Sequence, residues 1–126
     1  MKQKITSNNA PKPIGPYSQA IKNHDMIFIS GQIAINPETN LLVIDNIEDE
    51  TKMVMENLKN ILLECDCTLD NIVKCSIFLS DMSLFESVNK VYGEYFQDPY
   101  PARETVQVGC LPKNVNVEIS AIAMCK

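Results

Sequence analysis

Tryptophan is absent from this chain of 126 residues, histidine occurs once and glycine four times. Each scarcity excludes a class of chemistry. The single histidine, His24, sits in the turn-like Asn23-His24-Asp25, which is no setting for a histidine-based nucleophilic triad. No glycine falls in a G-x-G or P-loop pattern, so a glycine-rich phosphate cradle is missing. Basic residues are in deficit, with 11 Lys and Arg against 16 Asp and Glu and a formal net charge of −5. The cations are scattered rather than striped, whereas nucleic acid or an anionic membrane surface requires a basic face. No run approaches the ~18 apolar residues of a membrane span. The opening "MKQKITSNNAPKPIG" also lacks the apolar core of a secretory signal. These absences predict a cytoplasmic chain with neither nucleic acid nor membrane as partner. Cysteines are present (Cys65, Cys67, Cys75, Cys110, Cys125), but they are odd in number and lack framework spacing. Cys65 and Cys67 form a C-x-C rather than a C-x-x-C, so neither a disulfide scaffold nor structural zinc is expected.

What remains is an ordinary globular composition, 45% apolar and 21% charged. A chain of this length buries roughly two-thirds of its unfolded surface, enough for a core without metal or disulfide staples. No linker, repeat or low-complexity tract divides it, which predicts one domain over residues 1–126.

"PKPIGP" (Pro11 to Pro16) excludes helix and leads into a strand, "YSQAIKN". "MIFISGQIAI" (Met26 to Ile35) is a near-continuous apolar run and predicts a strand buried on both faces. Ser30 and Gly31 interrupt it, and a glycine inside a strand marks a bulge or a close backbone approach. A helix is predicted from Ile47 to Cys65, with Ile47, Val54, Leu58, Ile61, Leu62 and Cys65 on one face and Asp45 or Asn46 as cap. "IVKCSIFL" (Ile72 to Leu79) alternates, placing Val73, Cys75, Ile77 and Leu79 on one side of a strand. A second helix is predicted from Ser83, whose S-x-x-E spacing to Glu86 has the form of a capping box. Two further strands, about Glu104 to Val108 and Val115 to Met124, are read as a hairpin through "GCLPKN". The order is β-β-α-β-α-β-β, an α+β mixed sheet with two helices on one face. The other sheet face then needs solvent or another chain against it, and the apolar third-decade run points to another chain.

Arg103 stands in "DPYPARETVQV", between prolines and a β-branched run. It is either a strand-end arginine paired with a nearby acid or a planar fork that binds a carboxylate bidentately. Glu118, amid apolar residues in "VNVEISAIA", either faces solvent or is half-buried and poised as a general base. A hairpin centred near Pro112 sets Glu118 opposite Val106, roughly 10 Å along the strand from Arg103. Which face each takes depends on a register uncertain by one residue. Tyr17 and Ser30 offer hydroxyls and Gly31 an approachable backbone to a small polar ligand. Asn89 is a solvent-facing or site-lining amide. Cys110 follows a glycine in a loop with no neighbour to activate it.

Together these segments resemble the Rid family of reactive intermediate deaminases, also called YjgF-type. The likeness covers nearly the whole chain, through "APKPIGPYSQAI", "ISGQIAINPETN", "FESVNKVYGEYF" and "PYPARETVQVGCLPKNVNVEISAIA". The resemblance implies a chorismate-mutase-like fold, a homotrimer with helices outside, and active sites in clefts between subunits. It further implies 2-imino acid substrates and their enamine tautomers, such as 2-iminobutanoate and 2-iminopropanoate, hydrolysed to 2-keto acids and ammonia without a cofactor. By the same resemblance Arg103 binds the substrate carboxylate and Glu118 activates water. Tyr17, Ser30, Gly31 and Asn89 shape the pocket, and the backbone around Thr105 meets the nitrogen end. The chain departs from the family pattern at Thr105, where many relatives carry cysteine, at Ser120 in place of a frequent second glutamate, and at Asn40 in place of a turn glycine. Alternative readings are a non-catalytic carboxylate-binding or regulatory module on the same scaffold and, against the acidic balance, an endoribonuclease.

Overall fold

The computed structural model describes residues 1–126. Six strands and two α-helices appear, in the order β1 (Gln3–Ile5), β2 (Ala20–Asn23), β3 (Met26–Gln32), α1 (Ile47–Leu63), β4 (Ile72–Leu79), α2 (Phe85–Glu94), β5 (Ala102–Gln107) and β6 (Val117–Met124). They build one mixed sheet of order β1-β2-β3-β6-β4-β5, antiparallel throughout except for the parallel β4–β5 pair.

Helix α1 forms where the 3.6-residue spacing predicts it. Asn46 caps it by accepting the Asp49 amide at 2.8 Å, and Glu48, Asp49 and Glu50 complement the positive end of its dipole. Val54, Leu58, Ile61 and Leu62 are fully buried against β3 and β6. The helix stops at Leu63, and Asp66 turns the chain with a left-handed backbone, φ 57°. Helix α2 buries Val88, Val91 and Tyr92 and packs on α1. Its start differs from expectation. Asp81, not Ser83, supplies the cap, accepting the Ser83 amide at 2.8 Å and opening a 3-10 turn before α2 begins at Phe85. Ser83 lies inside that turn and Leu84 precedes α2 without a side-chain cap, so the S-x-x-E pattern goes unused.

The expected hairpin between the last two strands does not form. β4 lies between them, with Phe78 paired to Val106 on one side and to Glu118 on the other. A parallel pair needs a crossover, and α2 provides it by returning the chain beside β4. β5 and β6 are therefore neighbours in sequence and not in the sheet.

β3 also departs from its prediction. Ile27 and Ile29 are buried against the helices, but Phe28 between them is 42% exposed, so the strand alternates instead of being covered on both faces. It ends at Gln32, after which Ile33 and Ile35 join Leu111 and Val115 in a small second core. In β4, Cys75, Ile77 and Leu79 face the helices as expected, whereas Val73 is exposed because the pairing with β6 slips between Ile72 and Lys74. Strand β1 is too short and polar to have been recognised by alternation. Cys67 and Cys125, 58 residues apart, are in disulfide contact with Cα atoms 6.3 Å apart. That pairing is set by the end of β6 packing near the close of α1, and sequence spacing does not foresee it.

Candidate active site

Strand β5 presents Arg103 toward the helices, because Arg103 pairs with the inward-facing Cys75. Its guanidinium carbon lies 4.9 Å from the centroid of the Tyr92 ring and 5.7 Å from that of Phe85. Aromatic faces hold a cation without occupying its N–H donors. The chain's ion pairs are Lys59–Glu56 and Lys74–Glu104, so Arg103 has no acidic partner. The reading of a strand-end arginine satisfied by a nearby acid is thus excluded within the chain. Asn89, Tyr92, Tyr100 and Arg103 line one depression of about 390 Å³. Thr105, two residues on from Arg103, points to the same side, and its Oγ1 is buried without a partner. Beneath the arginine, burial raises the Cys75 thiol above its ordinary pKa, which makes it an inert core group. Burial also raises the Tyr92 hydroxyl, aided by the neighbouring Cys75.

Glu118 occupies the opposite face of the sheet. Its β6 neighbours Val117 and Ile119 are buried toward the helices, and Glu118 points the other way. The carboxylate sits beside Gly31, where β3 bulges: Ile29 pairs with Ala121 and Gln32 with Ile119, so Ser30 and Gly31 share the space opposite Ser120. Both meanings of a strand glycine hold here, the bulge and the close approach. A Cβ on Gly31 would lie 2.5 Å from Glu118 Oε2 and 2.8 Å from its Cδ. Gly31 and Glu118 line a cavity of about 190 Å³ with Tyr17, Lys12, Gln32 and Pro112. Ser30 stands next to them with its hydroxyl already committed, donating to the Ser18 carbonyl at 2.6 Å. The Tyr17 hydroxyl accepts only a long contact, 3.5 Å, from the Ile14 amide.

Burial is the cause that moves Glu118, and it raises the carboxyl above its usual range. Desolvation disfavours the anion, so the proton is held to higher pH. By contrast Glu104 is lowered by the Ser76 hydroxyl and Lys74. A ¹³C-NMR titration of the glutamate carboxyl carbons is therefore expected to show one midpoint clearly above the ordinary value of about 4.3. That resonance should vanish in Glu118→Gln, and assignment of the high midpoint to another glutamate would refute the burial of Glu118.

The candidate residues thus fall into two groups. Tyr17, Ser30, Gly31 and Glu118 lie on the open face and the bulge, while Arg103, Asn89 and Thr105 lie on the helix side of β5. Within one chain Arg103 and Glu118 do not meet. They are three residues and two strands apart, roughly 14 Å by strand spacing, and they point in opposite directions. Tyr92 escapes sequence reasoning, because a tyrosine among the buried positions of α2 gives no sign that its ring lies under Arg103. Lys12 and Pro112 gave no signal beyond their proline-rich settings. No cluster of three or more His, Cys, Asp or Glu side chains is present that could hold a metal ion.

The sequence and the fold that carry these two groups are similar to those of known proteins. Residues 7–125 match the family described as endoribonuclease L-PSP. A RutC family protein of Pyrococcus horikoshii is 50% identical over 123 residues, covering 98% of both chains. The mouse 2-iminobutanoate/2-iminopropanoate deaminase is 42% identical over 120 residues, 95% of this chain and 89% of that one. The crystal structure of Escherichia coli TdcF with bound serine superposes with a TM-score of 0.94 at 36% identity, covering 98% of this chain and 99% of that one. The chain belongs to the Rid family, also called YjgF/RutC. Its two helices and mixed six-strand sheet are the α+β fold of the family's solved structures.

Proposed function

We propose that this chain, one Rid-type domain over residues 1–126, hydrolyses 2-imino acids such as 2-iminobutanoate and 2-iminopropanoate, with their enamine tautomers, to 2-keto acids and ammonia. The observation that carries this reading is the split site: an arginine without an acidic partner on one face and a half-buried glutamate without a cationic partner on the other. Two such halves make one site when copies pack against each other. The open face favours that packing, since Phe28 (42% exposed) and Met124 (44% exposed) lie there beside Ile21 and Ile122. The assembly is a homotrimer with helices outside, working in the cytoplasm, with neither nucleic acid nor membrane as partner. No helix is long and apolar enough to cross a membrane.

In the mechanism Arg103 of one copy holds the substrate carboxylate bidentately, which fixes the direction of the C=N bond. Glu118 of the next copy takes a proton from water as the water oxygen bonds to the imine carbon and the C=N electron pair moves to nitrogen. The proton then passes to nitrogen, giving a carbinolamine. Glu118 carries the hydroxyl proton to the same nitrogen, and as the carbonyl forms the C–N bond breaks and ammonia leaves. Water is the only co-reactant, and no cofactor enters. The Thr105 backbone lies along the nitrogen end. Tyr17, Ser30, Gly31 and Asn89 bound the cavity. The deaminase name of the mouse relative and the serine bound to the E. coli relative agree with a substrate carrying an amino-acid carboxylate.

A second reading, endoribonuclease, comes from the family's description. A net charge of −5 and an arginine enclosed by aromatic rings favour a small anion over a polyanion. The deciding assay couples the protein to a threonine dehydratase and follows 2-keto acid and ammonia release. Acceleration over the spontaneous rate is expected, with no RNA cleavage at physiological salt. Tight carboxylate binding without acceleration would instead make the chain a binding module.

A further inference from the structure

Three polar residues of α1 are fully buried, Glu50, Thr51 and Asn57. Thr51 bonds the Ile47 carbonyl of its own helix, whereas Glu50 and Asn57 reach other segments and are not used by the reaction. They are seven residues apart, two helical turns, and so share one face. The Glu50 carboxylate accepts from the Asn116 amide (2.7 Å), the Asn116 side-chain Nδ2 (2.8 Å) and the Val117 amide (3.2 Å). Asn57 Nδ2 donates to the carbonyls of Ile33 (3.2 Å) and Ile35 (3.0 Å). Both gripped segments lie at or beyond the ends of the sheet ladder: β3 has ended at Gln32, and β6 begins only at Val117. Both also flank the Glu118 cavity, which Ile33 and Ile35 line and which Glu118 enters two residues after Asn116.

We infer that Glu50 and Asn57 are positioning residues that set the backbone on either side of the Glu118 cavity and thereby aim the general base. The inference rests on the reading of Glu118 as base. A buried carboxylate is a poor means of stabilising a core compared with an apolar side chain of the same size. Its bonds do what apolar packing cannot, because they fix the direction of particular backbone N–H groups. Ser80 extends the same grip, donating its amide to the Asn116 carbonyl at 3.0 Å.

Glu50→Gln and Glu50→Ala separate positioning from bulk stability. The glutamine keeps an oxygen for the Asn116 and Val117 amides, and the Asn116 side chain can turn its own oxygen toward the new amide group. Its kcat should stay within about twofold of wild type, whereas Glu50→Ala should lose at least about tenfold in kcat with KM changed less than about twofold. Amide exchange at Asn116 and Val117, read without substrate, should quicken in Glu50→Ala and not in Glu50→Gln. A folded Glu50→Ala with wild-type kcat, an effect on KM alone, or unchanged exchange would overturn the proposal. If Glu50→Ala does not fold, Asn116→Ala removes one of the three bonds and should lower kcat about threefold, and an unchanged kcat there overturns it equally. Quickened exchange in Glu50→Ala beside a wild-type chain inactive on imines would sink the deaminase reading and leave the grip on β6 intact.

Discussion

Mixing two inactive variants, Arg103→Ala and Glu118→Gln, is expected to restore imine hydrolysis. Alone, Arg103→Ala removes the only cation facing its depression, a loss of about 2–5 kcal/mol for a desolvated charge pair, or roughly 30- to 5,000-fold in kcat/KM. Glu118→Gln removes the proton acceptor, worth roughly 10²- to 10⁴-fold. If one chain supplied both groups, no mixture of the two variants could contain an intact site. The sheet places them on opposite faces, so under the proposed function each site draws its arginine and its glutamate from different copies. In randomly mixed trimers with head-to-tail interfaces, about a quarter of the sites then pair an intact Arg103 with an intact Glu118. The measurement is 2-keto acid release after co-refolding, with tagged chains confirming that mixed assemblies have formed. Mixed assemblies that stay inactive would show that the two groups do not share a site.

Replacing Gly31 with alanine should lower kcat by about 100-fold while leaving thermal stability unchanged or slightly raised. The added Cβ would meet Glu118 at 2.5 Å from Oε2, 2.8 Å from Cδ and 3.1 Å from Cγ, so the carboxylate must swing away. A displacement near 1 Å at the reacting group costs on the order of 10²-fold in rate. Stability should not fall with it, because the atoms that give way are the free end of a side chain. Gly31 has no left-handed φ, so alanine adopts the same backbone without strain. Alanine also narrows the unfolded ensemble, worth about 0.4–1 kcal/mol at a compatible site. A melting curve and a steady-state assay on one preparation decide the matter. A destabilised Gly31→Ala of normal kcat would mean that the glycine serves the bulge and not the glutamate.

The helices and β4 were legible because periodicity reports burial directly: the α1 stripe and the bounds Ile72–Leu79 follow from which side chains the core accepts. The Ser30-Gly31 bulge was legible for a similar reason, since a glycine in an apolar run has no packing role of its own. Pairing order was not. Nothing in "GCLPKN" distinguishes a hairpin loop from a connection that passes over β4, and that choice depends on α2 carrying β5 into parallel register. The same uncertainty hid the division of the site. Arg103 and Glu118 were identifiable as a cation and an anion in unusual settings, but the face each takes depends on register, which the chain settles only by folding. Val73 shows the local limit, because a slip in one ladder removes it from the face its alternation assigns.

The strand order also leaves the sheet with two edges, β1 and β5. An open edge exposes a row of unsatisfied backbone groups that can template cross-β growth. Here one edge is three residues long and carries Lys4 at its centre. The other is entered through Pro99 and Pro101 and carries Glu104, paired with Lys74 of the neighbouring β4. Neither offers the long, flat, uncharged strand on which fibrils extend. Contact between copies over the apolar face, as the proposed function requires, would therefore leave no sheet edge suited to seed amyloid.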